Sequence, residues 1–219
     1  MNEIKLIHGD SLQALKGYAD NHFDWAIVDP PYGIDIASSE NYGLNGGTDG
    51  RWNNTNQKHY KKKEWDKSIP TKEYFEEIKR VSKNQIIWGW NYYVSYLDNC
   101  PSYIVWDKES SGNYSDCETA WCSKKGINRI VKWMWNGFRK KQPEDRIHPT
   151  QKPIGLYKWI LENYTEENDL ILDTHLGSGS IAIACHYMKR KLIGYEIDKE
   201  YYDAACKRFK EQTMQQALW

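Results

Sequence analysis

Leu170-Ile171-Leu172-Asp173-Thr174-His175-Leu176-Gly177-Ser178-Gly179-Ser180 runs from a short apolar strand into a glycine-rich turn and on into a helical pattern over Ser178–Met188. Gly177, Gly179 and Ala182 fit the spacing G-x-G-x-x-G/A, and Glu196 follows Gly177 by 19 residues at the end of the next strand, Lys191–Glu196. Such a turn lets a ligand come close to the backbone, and a carboxylate at that distance is placed to accept both hydroxyls of a ribose. The stretch predicts a nucleoside-cofactor site; the alternative is a Gly-rich turn with no ligand.

A dinucleotide fold normally opens with this unit and adds further strands after it. Here about 40 residues remain beyond the loop, enough for a helix, a strand and a last helix over Lys199–Gln212. The rest of the sheet must come from earlier in the chain. Strands are predicted at Ile4–Ile7, Asp24–Asp29, Gln85–Trp90 and Tyr103–Asp107 from their β-branched and aromatic runs. Glu118–Ser123 and Arg129–Trp135 read as a further strand or hairpin. Helices are predicted over Ser11–Gly17, Lys72–Ser82 and Ile154–Tyr164, the last begun by Pro153 in its first turn. The alternation implies an α/β fold, Rossmann-like and circularly permuted, with a mostly parallel central sheet flanked by helices in one domain over 1–219. Two segments break the alternation. Residues 33–70, rich in Gly, Asn, Ser and Lys, read as a mobile functional loop, and 124–147 as a short target-recognition segment.

The chain balances 30 Lys and Arg against 30 Asp and Glu, so it is no global polycation. The charge is segregated instead. Residues 51–67 carry six basic groups against two acids and residues 124–152 nine against two, which leaves −11 on the remainder. One basic face on an acidic body would give this pattern, as would merely solvated surface. Mean hydropathy is −0.84 and no apolar run approaches the roughly 18 residues of a membrane span. The start, Met1-Asn2-Glu3-Ile4-Lys5, lacks the pattern of a signal peptide. Five cysteines without a Cys-x-x-Cys pair suit small buried thiols in a reducing, cytoplasmic setting and predict no metal site. There are 11 Trp and 16 Tyr against 4 Phe. These rings are either an aromatic core with its polar tips satisfied or platforms on which bases stack.

Asp29-Pro30-Pro31-Tyr32 stands where a buried strand ends, the place where open α/β sheets put their sites. Two prolines hold the backbone extended and remove two N–H groups. That leaves the Asp29 carboxylate and the Pro30 carbonyl as acceptors and the Tyr32 ring as a flat surface. Together they suit an amino group on a heterocycle. An exocyclic amine lends its lone pair to the ring. Two acceptors gripping its hydrogens would draw the nitrogen toward tetrahedral geometry and aim that lone pair at an electrophile. The competing reading is a Pro-stabilised turn.

Asp29–Tyr32, the block His148-Pro149-Thr150-Gln151-Lys152-Pro153, and Asp173–Ser180, in that order, closely resemble the amino-methyltransferases of DNA, and more narrowly their β-group, in which the catalytic motif precedes the S-adenosylmethionine (AdoMet) motif. The resemblance covers about residues 1–32 and 85–212. It implies an AdoMet-dependent methyltransferase in which Asp29 and Pro30 hold the target amine and Tyr32, after Pro31, stacks on the base. In the Gly9-Asp10-Ser11 element, Asp10 would accept from the adenine amine of AdoMet, although Asp10 also reads as a helix N-cap. Glu196 would take the ribose hydroxyls, Gly177 and Gly179 would let the methionine moiety approach, Thr150 and Lys152 would help hold its carboxylate, and Asp173 is a further cofactor-site candidate. Where the family usually has an aromatic two residues before the first glycine, this chain has His175, which can pack flat or carry charge beside a sulfonium. The Asp-Pro-Pro-Tyr form is commonest for adenine N6; cytosine N4 is the alternative.

The target atom lies inside a duplex, so the resemblance implies base flipping, with DNA as partner and affinity steeply dependent on salt. Lys61, Lys62, Lys63, Arg129, Arg139, Lys140 and Lys141 are the candidate DNA contacts. So small a recognition segment implies a short site, relaxed specificity or help from a second subunit in a homodimer. The resemblance points to a bacterial, phage or mobile-element methylase that stands alone. Methylation of cytosine at carbon 5 is disfavoured, since no Pro-Cys dipeptide occurs. Methylation of RNA or a protein amide, a NAD-dependent oxidoreductase, and an inactive nucleic-acid-binding module are the other readings.

Overall fold

The computed structural model describes residues 3–35, 63–110, 115–135, 141 and 144–214. Most of the segment 33–70 therefore lies outside the described residues, as do Lys61, Lys62, Arg139 and Lys140.

Eight strands make one sheet: β1 (Ile4–His8), β2 (Phe23–Val28), β3 (Ser82–Trp88), β4 (Ser102–Asp107), β5 (Cys117–Cys122), β6 (Arg129–Lys132), β7 (Leu170–Asp173) and β8 (Lys191–Glu196). Their order is β1-β8-β7-β2-β3-β5-β4-β6. β1 pairs in parallel with β8, Ile4 opposite Leu192, so the first strand of the chain lies against its last. This is the arrangement left by circular permutation of a doubly wound sheet. The Gly-loop unit β7–β8 lies inside the sheet, and β7 adjoins β2 with Trp25 opposite Ile171. Strand order reverses between β7 and β2, which opens a crevice beyond their carboxyl ends. Among the described strands, only β5 runs antiparallel to its neighbours. The expected hairpin of the segments near Glu118 and Arg129 is not formed: β4 lies between β5 and β6, and β6 pairs with it in parallel.

Alternating side chains of the strands feed two cores, as the pleat requires. Trp25, Ile27, Ile86 and Trp88 face α3 (Ile154–Tyr164) and α4 (Ser180–Tyr187). Ala26, Val28 and Ile87 face α1 (Ser11–Leu15) and α2 (Lys72–Val81). In α2 the buried residues Tyr74, Phe75, Ile78 and Val81 recur at helical spacing and leave the charged positions to solvent. α5 (Lys199–Met214) packs across α4 and β1. Pro153 is the extended N-cap of α3, one residue ahead of its first turn. Trp25, Trp88, Trp106, Trp121 and Trp135 are buried, so the core accounts for most of the described tryptophans. All five cysteines are free. Cys122 and Cys185 are buried, but Cys100 and Cys117 are exposed rather than core.

Candidate active site

Asp29 follows the last residue of β2 and Asp173 ends β7, so adjacent parallel strands deliver both carboxylates to one crevice. The Asp29 Oδ1 accepts from the Tyr32 hydroxyl at 2.7 Å, and its Oδ2 accepts from the Lys152 ammonium. Lys152 also reaches the Tyr32 hydroxyl at 3.2 Å and Glu118 Oε2 of β5 at 3.0 Å. It thus donates two hydrogen bonds and forms an ion pair with Glu118, and its side chain is 3% exposed. Burial raises the Asp29 carboxyl above the ordinary carboxylate range, an effect that Lys152 opposes and Glu118 reinforces. Burial works against the Lys152 ammonium, but Asp29 and Glu118 outweigh it and raise its pKa. Lys152, expected beside a cofactor carboxylate, is placed instead on the catalytic motif.

The Asp29–Tyr32 turn is fixed from two sides. Tyr93 donates to the carbonyls of Pro30 and Pro31 at 2.7 and 2.6 Å. Asp66, 1% exposed, accepts from the N–H groups of Tyr32 and Gly33 at 2.8 and 3.0 Å. The Tyr32 ring lies against Gly89, where an added Cβ would stand 2.2 Å from its Cε1, and it stacks on Tyr92 with centroids 4.9 Å apart and planes 14° apart. Tyr92 follows Gly89 in a turn of 3₁₀ helix, Trp90–Tyr92, and is 41% exposed. The Pro30 carbonyl, expected to accept from the target amine, here accepts from Tyr93.

On the cofactor side, Glu196 accepts from the Gly177 and Asp198 N–H groups at 2.8 and 2.9 Å. Burial raises its carboxyl. Gly177 and Gly179 have φ of +52° and +71°, the left-handed region glycine tolerates. Gly179 also abuts α5, because a Cβ there would sit 3.2 Å from Ala205 Cβ. Asp173 accepts from the His175 N–H at 3.0 Å, yet burial together with Asp29 and Glu196 pushes its carboxyl up to about 8. His175 lies edge-on to Tyr74 at 5.5 Å, and burial holds its ring down to about 4, so it is neutral at pH 7. Asp10 caps α1, accepting from the Leu12 N–H at 2.9 Å, and Ser11 opens that helix, 8% exposed. The N-cap reading of Asp10 holds, and its charge is still felt by His175.

The block around Lys152 ties the halves together. His148, lowered to about 3 by burial, packs edge-on against Tyr201 at 4.2 Å and has Thr150 Oγ1 3.1 Å from its Nδ1. The Gln151 carbonyl accepts from Trp135 Nε1 at 2.9 Å. Arg208 of α5 donates to the Ser178 carbonyl at 2.8 Å and pairs with Glu144 at 2.8 Å, which places the chain entering this block under the Gly loop.

The basic candidates scatter. Lys63 is engaged by Asp198 at 2.7 Å and Glu200 at 2.8 Å and lies over the Tyr201 ring, beside the cofactor side. Arg129 shares a groove with Ser102, Lys124 and Tyr164 where β4 begins and α3 ends, at the far end of α3 from Lys152. Lys141 is exposed and rests over the Trp133 ring at 4.5 Å. Glu118, Asp66, Tyr92, Tyr93 and Gly89 were not legible in the sequence, because no local pattern marks a single residue brought in by a distant strand or turn.

The family model for N6/N4 methyltransferases, described as DNA methylase, matches residues 101–207. The type II methyltransferase M.HpaI of Haemophilus parainfluenzae is 24% identical over 258 residues, covering 95% of this chain and 74% of that protein. The chain is thus similar to the DNA amino-methyltransferases. Among solved structures, the chain shares its fold with an M1.HpyAVI–SAM complex at 23% identity and TM-score 0.57, covering 94% and 99% of the two chains. The cytosine-N4-specific PvuII DNA methyltransferase aligns at 13% identity and TM-score 0.64, covering 98% and 91%. The fold of the chain is therefore that of the AdoMet methyltransferases, α/β with a mostly parallel sheet between helices. Among the described residues no helix is long and apolar enough to cross a membrane, and no group of His, Cys, Asp or Glu could hold a metal.

Proposed function

We propose that this chain methylates the exocyclic N6 amine of adenine in DNA, using AdoMet, by flipping the base and transferring the methyl group directly. One observation carries the reading: Asp29, backed by Lys152 and Tyr32, shares a crevice with the Gly177–Gly179 loop and the Glu196 carboxylate. The donor set fits AdoMet. Asp29, Asp173 and Glu196 are carboxylates close enough to influence one another, with Lys152 the ammonium among them. Asp29 and Glu196 outweigh Lys152 and Asp173 can give up its proton to a cation, which suits a cationic ligand, and Glu196 retains lone pairs for a diol. When bound, AdoMet supplies an electrophilic methyl on a sulfonium.

The residues of this chain do the rest. Asp29 accepts a hydrogen of the target amine and frees its lone pair, and the Asp29 carboxylate takes the proton the amine sheds once methylated. Tyr32 offers the face on which the base stacks, in the place Tyr92 takes in this structure. Positioning of the two reactants supplies most of the acceleration. The Asp at the head of the motif favours adenine over cytosine, and Lys141 with the basic stretch before it would follow the phosphates.

Transfer of labelled methyl from AdoMet to unmethylated duplex DNA, followed by nucleoside analysis, tests this. Labelled N6-methyladenine is expected. Labelled N4-methylcytosine would keep the mechanism and change the base. Absence of label on DNA, with AdoMet bound, would overturn the proposal.

A further inference from the structure

The charged groups at the crevice form a line, Lys108, Glu118, Lys152 and Asp29, alternating in sign and drawn from four separate stretches of chain. Glu118 lies 2.5 Å from Lys108 and 3.0 Å from Lys152, while Lys152 continues to Asp29. The ammonium bonds Asp29 Oδ2 while Tyr32 takes Oδ1, so where the ammonium sits sets how the Asp29 carboxylate is turned. Glu118 on the other side attracts the ammonium by charge, as an ion pair at 3.0 Å, and so restrains where it sits between the two carboxylates.

We propose that Glu118 is a positioning residue for methyl transfer: from β5 it holds the Lys152 ammonium, and through it keeps the Asp29 carboxylate oriented as acceptor for the target amine. The inference rests on the function proposed above and adds to it a residue that never touches the substrate. Lys108 and Lys152 hold the Glu118 carboxyl at about 2 despite its burial, so it stays charged wherever the enzyme works. Lys152 faces Asp29 and Tyr32 after β2, Glu118 of β5 and the Trp88 ring of β3, with Asp173 and His148 within electrostatic reach and Lys108 behind Glu118. An opposite charge at such range moves a pKa by about 1 to 3 units.

The test compares pH profiles of kcat for the full chain, Glu118→Gln, Glu118→Asp and Lys108→Met, on duplex DNA with AdoMet saturating. Glu118→Gln removes an anion, so Lys152 loses its proton more readily and Asp29 ionises more readily. Both limbs of the profile are expected to move acidward, the alkaline one by about one pH unit or more, with AdoMet affinity kept within about threefold. Glu118→Asp should recover part of the shift and keeps the test readable if the Gln variant is inactive. Lys108→Met leaves Glu118 to Lys152 alone, so its alkaline limb should stay or move upward. A Glu118→Gln profile that superimposes on the parent's, or one that Lys108→Met reproduces, overturns the proposal and leaves the proposed function standing. A parent chain that transfers no methyl to DNA overturns both.

Discussion

Lys152, in the turn before α3, places its ammonium on the carboxylate of Asp29, which stands 123 residues earlier at the end of β2. Removing one member of a buried pair leaves the other charge uncompensated, at a cost of about 3–5 kcal/mol. Lys152→Met is therefore expected to lower stability by that order in a denaturant melt. Methyl transfer should fall at least about a hundredfold, since Asp29 then holds a proton and cannot accept from the amine. Near-normal turnover in a folded Lys152→Met chain would show that the pair is only structural.

Asp29 makes no hydrogen bond to the Gly loop, so its role separates from cofactor binding. Asp29→Ala should abolish label transfer while AdoMet affinity, read by calorimetry, stays within a few-fold. Parallel loss of both would assign Asp29 to the cofactor site instead.

Gly89 carries two constraints at once, a φ of +68° and the Tyr32 ring against its Cα. An Ala there costs about 1 kcal/mol or more in backbone strain and must displace the ring. Gly89→Ala is expected to raise the KM for DNA and lower kcat about tenfold or more, with the AdoMet dissociation constant little changed. Unaltered DNA kinetics would mean the ring has no part in holding the base.

Asp173, raised to about 8, binds a proton in the free protein at neutral pH. A sulfonium favours the carboxylate, so binding expels that proton below pH 8 and affinity should climb as pH rises from 6 to 8, by up to about tenfold per unit. S-adenosylhomocysteine, whose sulfur is neutral, should show a shallower climb, and Asp173→Asn should flatten the AdoMet curve. Calorimetry in buffers of different ionisation heat counts the proton directly. Equal slopes for the two ligands would place the sulfonium away from Asp173.

His175 is buried with a folded pKa lowered to about 4 from an ordinary 6.5. A base so lowered contributes stability that is complete above about 6.5 and is lost as pH falls toward 4, because the unfolded chain takes up the proton first. His175→Phe should therefore lose less stability than the parent between pH 7 and pH 4.5, and should still bind AdoMet. An identical acid dependence would show that the imidazole takes up its proton in the fold as readily as in the unfolded chain.

The residue order of this chain by itself determined that an apolar strand, a Gly loop and a helix come late, that Asp29–Tyr32 ends an earlier strand, and that the sheet is permuted. Those features are local: φ preferences, side-chain period and short spacings carry them. The family resemblance also named Lys152 but set it on the cofactor carboxylate. Only the tertiary structure put Lys152 on Asp29 and Glu118, Asp66 beneath Tyr32, and Gly89 and Tyr92 against its ring. Strand order decided those pairings, because a buried charge takes whichever opposite charge the neighbouring strand brings within reach, and no spacing along the chain encodes which strand that is.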